Sequence, residues 1–463
     1  MAQRAAYVAM GGMLLIVFIT FGALYYSLSQ LRGEVESLRE ELKREAAREE
    51  ERAREISSVA ARLGELSRRI ESVEQALTRT ASAQELRALA EEVGRARAEL
   101  SAMKASIASV NRSLLQQADA AAKRLEELKR EIDALSQRLL FPAKIVDGAG
   151  DTIVITKRPM RIVTLAPSAT ETVFFVGALD RVVGVDRFSN FPSSIKQKAE
   201  RGEIVVVGGF VNPSVEKILE ARPDVVIGVA NRAHIALKDV LSQYKIPVVV
   251  LPQDTLNDVI QGTIIVGEVT GNVVEAYETA AKMRMAAGFA LALSNQVKER
   301  PKIASVVWTQ PIYAVGAGSW QHDVLSIVGT NVFSDLRGWP VVSPETFLAR
   351  KPEVVIATGG HGTGREAFIS VLRSALGDSA REIPAIRDDK VFETQGSYND
   401  AYVRPSPRTF MSIYLVMLAV HPSLFNVTAV PLVLSPENID VERAASRKVP
   451  EDVIAVIRAS LER

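Results

Sequence analysis

Cysteine is missing from all 463 residues, which excludes disulfides, thiolate metal sites, iron–sulfur clusters, thiol nucleophiles and a lipid-modified cysteine. Histidine is scarce at four residues, none paired at metal-ligand spacing, and aromatic residues make up only 6%. Charge of one sign is not in excess, with 56 Lys+Arg against 55 Asp+Glu, so a polybasic nucleic-acid-coating protein is not expected. Several chemical signatures are absent as well. No G-x-G-x-x-G follows the first strand-like run, and neither a P-loop, an H-E-x-x-H helix nor a G-x-S-x-G elbow occurs. The run Gly359-Gly360-His361-Gly362-Thr363-Gly364 has the glycines of a phosphate loop without its lysine. An enzyme is therefore not expected, and no cofactor is called for. What is present is 47% hydrophobic residues in a chain too long for a single core, so two to four folded units are expected.

The N-terminus differs from the rest. Between Arg4 and Arg32 lie 27 uncharged residues, including Met13-Leu14-Leu15-Ile16-Val17-Phe18-Ile19 and ending near Tyr25-Tyr26. At about 1.5 Å per helical residue this crosses a hydrocarbon core of roughly 30 Å. A retained membrane-spanning anchor is expected within residues 1–30, in preference to a cleaved signal, because no clear small-residue cleavage site follows. From residue 31 to 140 the chain has no proline and is rich in Glu, Arg, Ala and Leu. Val35, Leu42, Ile56, Leu63, Ile70 and Leu77 share one heptad frame, joined by Leu38, Val59, Leu66 and Val73. The frame shifts near Ser82, resumes through Leu86, Val93, Leu100, Ile107 and Leu114, and shifts again to Leu125, Leu128, Ile132, Leu135 and Leu139. The preferred reading is a coiled-coil spacer through which copies of the chain associate; a solvated single helix and a pair of helices folded on each other are the alternatives.

Phe141-Pro142 ends that helical grammar. Short β-branched runs then alternate with amphipathic helices: Arg161 to Leu165, Val182 to Val185, Asp224 to Ile227, Pro247 to Val250, Ile303 to Val307 and Glu353 to Ile356. Such runs, apolar on both faces and separated by helices, predict parallel sheets covered on each side. Ser168-Ala169-Thr170-Glu171 reads as a capping box opening a helix at the carboxyl end of the first strand. The most informative pattern is a repeat. Asn212-Pro213-Ser214-Val215-Glu216 leads through a helix to Pro223 and the strand at Val225; Ser343-Pro344-Glu345 leads through a helix to Pro352 and the strand at Val354. Two sister α/β lobes follow, at 141–254 and 301–430, joined by connecting helices over 255–300 and trailed by a C-terminal extension at 431–463. The later part of the connection reads as one long rigid helix, and a cleft between two lobes so joined is a natural place for a large concave site.

With these elements in place the chain resembles a known family over roughly Lys144 to Phe425. The resemblance rests on Arg161-Ile162-Val163-Thr164-Leu165-Ala166-Pro167-Ser168-Ala169-Thr170-Glu171, on Val183-Gly184-Val185-Asp186, on Val207-Gly208-Gly209-Phe210, on Gly338-Trp339-Pro340 and on Arg404-Pro405-Ser406-Pro407-Arg408. It is similar to the ABC-importer substrate-binding proteins that capture cobalamin, haem and iron–siderophore chelates. That resemblance implies two Rossmann-like lobes bridged by a long backbone helix, here preceded by the transmembrane helix and the coiled coil. It also implies an ABC permease and its ATPase as partners, and a single-pass protein of the cell membrane with its binding domain extracytoplasmic.

The same resemblance assigns residues. Glu216 and Glu345, one on each lobe, stand where the family docks on basic residues of the permease; each also complements the positive end of its own helix. Phe188, Phe191, Phe210, Trp308, Tyr313, Trp320, Trp339 and Tyr402 fall at cleft positions, where rings cover a flat macrocycle, although aromatics serve cores equally well. Asp400 stands where cobalamin-binding relatives carry an acidic residue facing the ligand, and Arg404 is a partner for an anionic chelate. With few basic groups near the cleft, cobalamin is favoured over a siderophore or haem; for haem the axial candidates are His322, His361 and Tyr313. The competing class of function is a membrane-tethered sensor or scaffold that oligomerises through its coiled coil.

Overall fold

The computed structural model describes residues 140–360, 363–446 and 448–461, together with isolated positions between 68 and 123. The expected anchor and almost all of the expected rod lie outside the described residues. Among the described residues no helix is long and apolar enough to cross a membrane.

Two antiparallel strands, β1 (Ala143–Val146) and β2 (Thr152–Ile155), open the described fold. The first lobe follows as β3 (Ile162–Thr164), α1 (Pro167–Phe175), β4 (Val182–Val185), α2 (Ser193–Glu200) and β5 (Val205–Val206). The short antiparallel pair β6 (Gly208–Gly209) and β7 (Asn212–Pro213) leads to α3 (Val215–Glu220), β8 (Val225–Val229), α4 (Arg232–Ser242) and β9 (Val248–Leu251). The sheet is entirely parallel in the order β5-β4-β3-β8-β9. Strands β3, β8 and β9 are buried along their whole length, as their continuous apolar runs require. The chain leaves β3 first toward one side and later returns to the other, so the carboxyl end of β3 is a topological switch point, where open α/β sheets bind ligands.

The connection between the lobes is a pair of helices, the later of them 22 residues long. Helix α5 (Leu256–Thr270) ends at Gly271, whose φ of 77° is the left-handed cap a glycine takes at least cost, and α6 (Val273–Ser294) begins two residues later. This hairpin is divided between cores. Val266, Val269 and Ala276, nearest the bend, belong to the apolar core of the first lobe. Leu256 to Ile264 and Ala280 to Leu293, toward the open end, belong to that of the second. Two guanidinium groups fasten the bend: Arg158 and Arg181 both donate to the carbonyl of Thr270, at the negative end of α5, and both to Asn272 Oδ1. Burial beside Arg158 lowers the Arg181 pKa to about 10, and the group stays charged at neutral pH.

The second lobe comprises β10 (Lys302–Thr309), β11 (Ile312–Ala314), α7 (Trp320–Val328), β12 (Thr330–Asn331), α8 (Pro344–Arg350), β13 (Val354–Thr358), α9 (Arg365–Leu376), α10 (Pro384–Arg387), β14 (Val391–Thr394), α11 (Gly396–Val403) and α12 (Thr409–Val420). It closes with β15 (Val433–Leu434), α13 (Val441–Ala445) and α14 (Glu451–Leu461). The sheet order is β11-β10-β13-β14-β15, with β12 also beside β10 and only β11 antiparallel. The C-terminal extension is thus part of the lobe: β15 is its edge strand, and α14 buries Val453, Ile454 and Ile457 in the same core as α6 and α12.

The repeat is structurally real. Glu216 and Glu345 are each the second residue of an exposed short helix, α3 and α8, that feeds a buried strand. Both copies end on a left-handed residue before proline, Arg222 with φ 46° and Lys351 with φ 51°. They differ at the start. Pro344 is the first helical residue of α8, whereas Pro213 lies in β7 and Ser214 caps α3 by accepting from the Lys217 amide.

Candidate functional site

The carboxyl ends of the two parallel sheets carry the loops where the lobes meet, and the centre of that meeting is Glu171. Helix α1 opens with Ala166 as its cap and Pro167 at its first position, and no side chain caps it. The expected capping box is therefore not formed. Glu171, 0% exposed, reaches across to the second lobe instead. Its Oε1 pairs with Arg404 Nη1 at 2.8 Å and Arg408 Nη1 at 3.0 Å, and its Oε2 accepts from the Ser406 hydroxyl. The Arg404-Pro405-Ser406-Pro407-Arg408 stretch is thus a clasp on one buried carboxylate from the other lobe. A sequence window could not show this, because the partners lie 233 to 237 positions apart.

Around that pair a second, more exposed network spans the lobes. Arg404 donates to Asn190 Oδ1 at 2.6 Å and pairs with Asp400 at 2.9 Å, while the Asn190 amide donates to Asp400 at 3.0 Å. Asn190 is held by a loop built on Asp186, which accepts from the Phe188 amide and the Ser189 hydroxyl; Ser189 in turn meets Thr170, and Thr170 meets Thr164. Burial pushes the Asp186 carboxyl above its usual value, against the opposing effect of these bonds. Beside the network is a pocket of about 730 Å³, lined from the first lobe by Asn190, Phe191 and Ser193, and from the second by Gly359, Gly360, Gln395 to Ser397, Asn399, Asp400, Arg408 and Leu461.

The expected aromatic set separates into three groups. Phe188 and Trp308 are exposed, at 52% and 42%. Tyr313 pairs with Trp308 across β10 and β11 and is half-buried, and Phe210 and Trp339 are half-buried as well. Phe191 is buried against Phe174 and Phe175, beneath the Arg408 guanidinium at 4.0 Å, yet still lines the pocket. Trp320 and Tyr402 are core residues. Trp320 donates its indole N–H to the Tyr402 carbonyl, and Tyr402 its hydroxyl to Ser305, with burial raising the phenol pKa. Their loop neighbours in sequence gave no sign of this, because a ring near a strand end serves a core and a cleft equally well. Arg404, expected as a partner for an anionic guest, is committed to Glu171 and Asp400.

Two further expectations change. His322 has both ring nitrogens within hydrogen-bond reach of protein groups, Asn331 and Ser326, which leaves it poorly suited as an axial ligand; His361 lies outside the described residues. Among the described residues no cluster of His, Asp and Glu could hold a metal ion. The glycine-rich run does lead into a helix, α9, but the Glu393 carboxylate takes the Arg365 amide at 2.8 Å, so a protein anion occupies the place a phosphate would take.

His234 was missed at the level of sequence. It is wholly buried under Phe210, edge to face at 5.4 Å. Its Nδ1 accepts from the Val229 amide, so Nε2 carries the proton and donates to the Phe210 carbonyl at 2.9 Å. Gly228 leaves the room, since a Cβ there would stand 2.9 Å from the ring. Burial lowers the His234 pKa below 6.5 despite the two backbone bonds. As pH falls through 6.5 the unfolded chain gains a proton that the fold refuses, so stability declines down to the folded pKa and is level beyond it. Urea midpoints measured from pH 7.5 to 5 are expected to fall more steeply for the wild type than for His234→Gln; parallel curves would contradict this assignment.

Comparison with known proteins places this geometry. The sequence profile described as periplasmic binding protein matches residues 162–398, just over half of the chain. The chain belongs to the periplasmic binding protein family. Among its relatives is the uncharacterised ABC transporter substrate-binding lipoprotein YvrC of Bacillus subtilis, 22% identical over 305 residues that span 64% of this chain and 91% of that protein. The vitamin B12-binding protein of Vibrio parahaemolyticus is 25% identical over 255 residues, 55% of this chain and 86% of that one. Among solved structures, the vitamin B12-binding protein BtuF of Vibrio cholerae superposes with a TM-score of 0.47 at 23% identity, over 57% of this chain and 98% of that one. The periplasmic binding protein match ends within α11, so α12 and the whole C-terminal extension lie beyond it.

Proposed function

We propose that this periplasmic binding protein is the extracytoplasmic solute-binding component of an ABC importer, taking a bulky metal chelate of the cobalamin type between its lobes and presenting it to a permease. The observation that carries the reading is the inter-lobe junction: two parallel sheets whose carboxyl ends meet at the Glu171 clasp, beside a pocket of about 730 Å³. The relatives named as substrate-binding and vitamin B12-binding proteins support the class of guest. Side-chain chemistry supports the choice within it. Arg408, which lines the pocket, and Arg404, which pairs with the pocket residue Asp400, are neutralised by Glu171 and Asp400, which disfavours a strongly anionic siderophore. Asp400 and Asn190 line the pocket and carry the acceptor and donor groups that the amides of cobalamin would draw from their mutual bond, and Phe188 and Trp308, outside the pocket lining, are the exposed rings that the proposal assigns to its macrocycle. Membrane attachment through residues 1–30, with 31–140 as spacer, completes the proposal; the sequence has no cysteine to carry the lipid of a lipoprotein.

Titration of the full chain with cyanocobalamin, haemin and a ferric hydroxamate, followed by tryptophan fluorescence, tests this. Cyanocobalamin is expected to bind at micromolar concentration or tighter and to beat the other two. Phe188→Ala and Trp308→Ala are each expected to weaken it about tenfold, the loss of roughly 1.4 kcal/mol of stacking. Saturable binding of none of the three would end the proposal.

A further inference from the structure

The family match stops before the C-terminal extension, yet the extension reaches the pocket. Leu461, the last residue of α14, lines it together with Phe191, Asp400 and Arg408. One residue earlier, the Ser460 carbonyl accepts from Arg408 Nε at 3.0 Å. Arg408 is only 1% exposed, and its remaining donors go to Glu171 in the first lobe and to the Ser397 carbonyl at 3.1 Å in the pocket loop, while its guanidinium face covers Phe191. A single buried cation thus ties the last turn of the chain to both walls of the pocket. The anchorage of that turn is firm: Val453, Ile454 and Ile457 are buried, and Arg458 pairs with Glu442 and Glu451 outside.

We infer that the final turn of α14 is a wall of the solute pocket and fixes both its size and the position of Arg408. Leu461 is a specificity residue, acting by volume, and Ser460 is a positioning residue, acting through Arg408. The size claim rests on the solute-binding reading above; the positioning claim does not. A guest large enough to fill the pocket meets the Leu461 side chain, so enlarging that side chain excludes it before it excludes a smaller chelate.

Two measurements separate the claims. In the first, hydrogen exchange is compared between the unliganded wild type and a chain ended after Arg458. The shortened chain is expected to exchange at least tenfold faster at residues 189–193 and 396–403, with the strand at 225–229 unchanged; equal rates at both loops would overturn the positioning claim. In the second, Leu461→Trp is titrated with cyanocobalamin and with a ferric hydroxamate. Cyanocobalamin affinity is expected to fall at least tenfold and the ratio between the two guests to shift, while Leu461→Ala changes cyanocobalamin affinity less than threefold. An unchanged ratio in Leu461→Trp, with the wild type binding normally, would overturn the size claim. If the wild type binds no chelate, the solute-binding reading and the size claim fall together, and the exchange result still decides the positioning.

Discussion

Glu171→Ala is expected to destabilise the lobed region by about 3–5 kcal/mol, the usual penalty for removing one partner of a buried ion pair. The reason is asymmetry. Glu171 and Arg408 are both 1% exposed at the side chain, so deleting the carboxylate leaves a guanidinium inside the protein with two carbonyls and the Phe191 ring but no counter-charge in contact. Arg404 can turn outward, being 13% exposed, and Arg404→Ala should cost much less. For a domain of this size the loss corresponds to a fall in Tm on the order of 10 °C. Glu171→Gln keeps acceptors for Ser406 and one arginine and should fall between the two. Thermal and urea unfolding of the three variants checks the order; a Glu171→Ala protein within 2 °C of the wild type would show that the clasp contributes geometry and little stability.

Glu216→Lys combined with Glu345→Lys is expected to reduce uptake through the proposed permease at least a hundredfold while leaving solute affinity within twofold. The two carboxylates occupy the same position of two related short helices, one on each lobe, and neither lines the pocket. Glu345 accepts a hydrogen bond from Ser343, which holds its carboxyl below the ordinary range, so it remains an anion in mildly acidic surroundings. Reversing both charges replaces attraction with repulsion at two points, which blocks docking and orientation together. Reversal also opposes the helix dipole at α3 and α8, a local effect confined to the first turn. Transport assays with the double variant, paired with titration of the same protein, distinguish the outcomes. Normal transport would limit these residues to helix capping, and lost affinity would place them at the pocket.

The fold was legible where the chain repeats itself. A cap, an acidic residue, a helix, a proline and an apolar run occurring twice specify the same helix–strand unit twice, and α3–β8 and α8–β13 are those units. The connection read as helices with a long later member, which is α6; that the chain reverses at Gly271-Asn272 was not legible, because the left-handed Gly271 and the two arginines at Thr270 that fasten the turn depend on contacts distant in sequence. The candidate site was legible only in part. Asp400 and Arg404 came from the resemblance and do lie at the junction, but Glu171 satisfied a local capping rule so well that its long-range role was hidden. Trp320 and Tyr402 show the reverse limit. What decides between a core ring and a cleft ring is what packs around it, and the partners that hold these two inside, Ser305 and the Tyr402 carbonyl, are distant in sequence. Leu461 and Ser460 gave no signal at all, since an amphipathic terminal helix announces that it packs and not what its end touches.

The helical hairpin between the lobes has a kinetic consequence. With the bend rooted in one lobe and the open end in the other, relative motion is expected to be a small sliding of packed helices and not a wide swing. A mouth that gapes so little admits a large guest slowly and releases it slowly. On the solute-binding reading proposed above, residence time rather than capture speed would make binding tight, and hand-over would need something outside the protein to prise the halves apart.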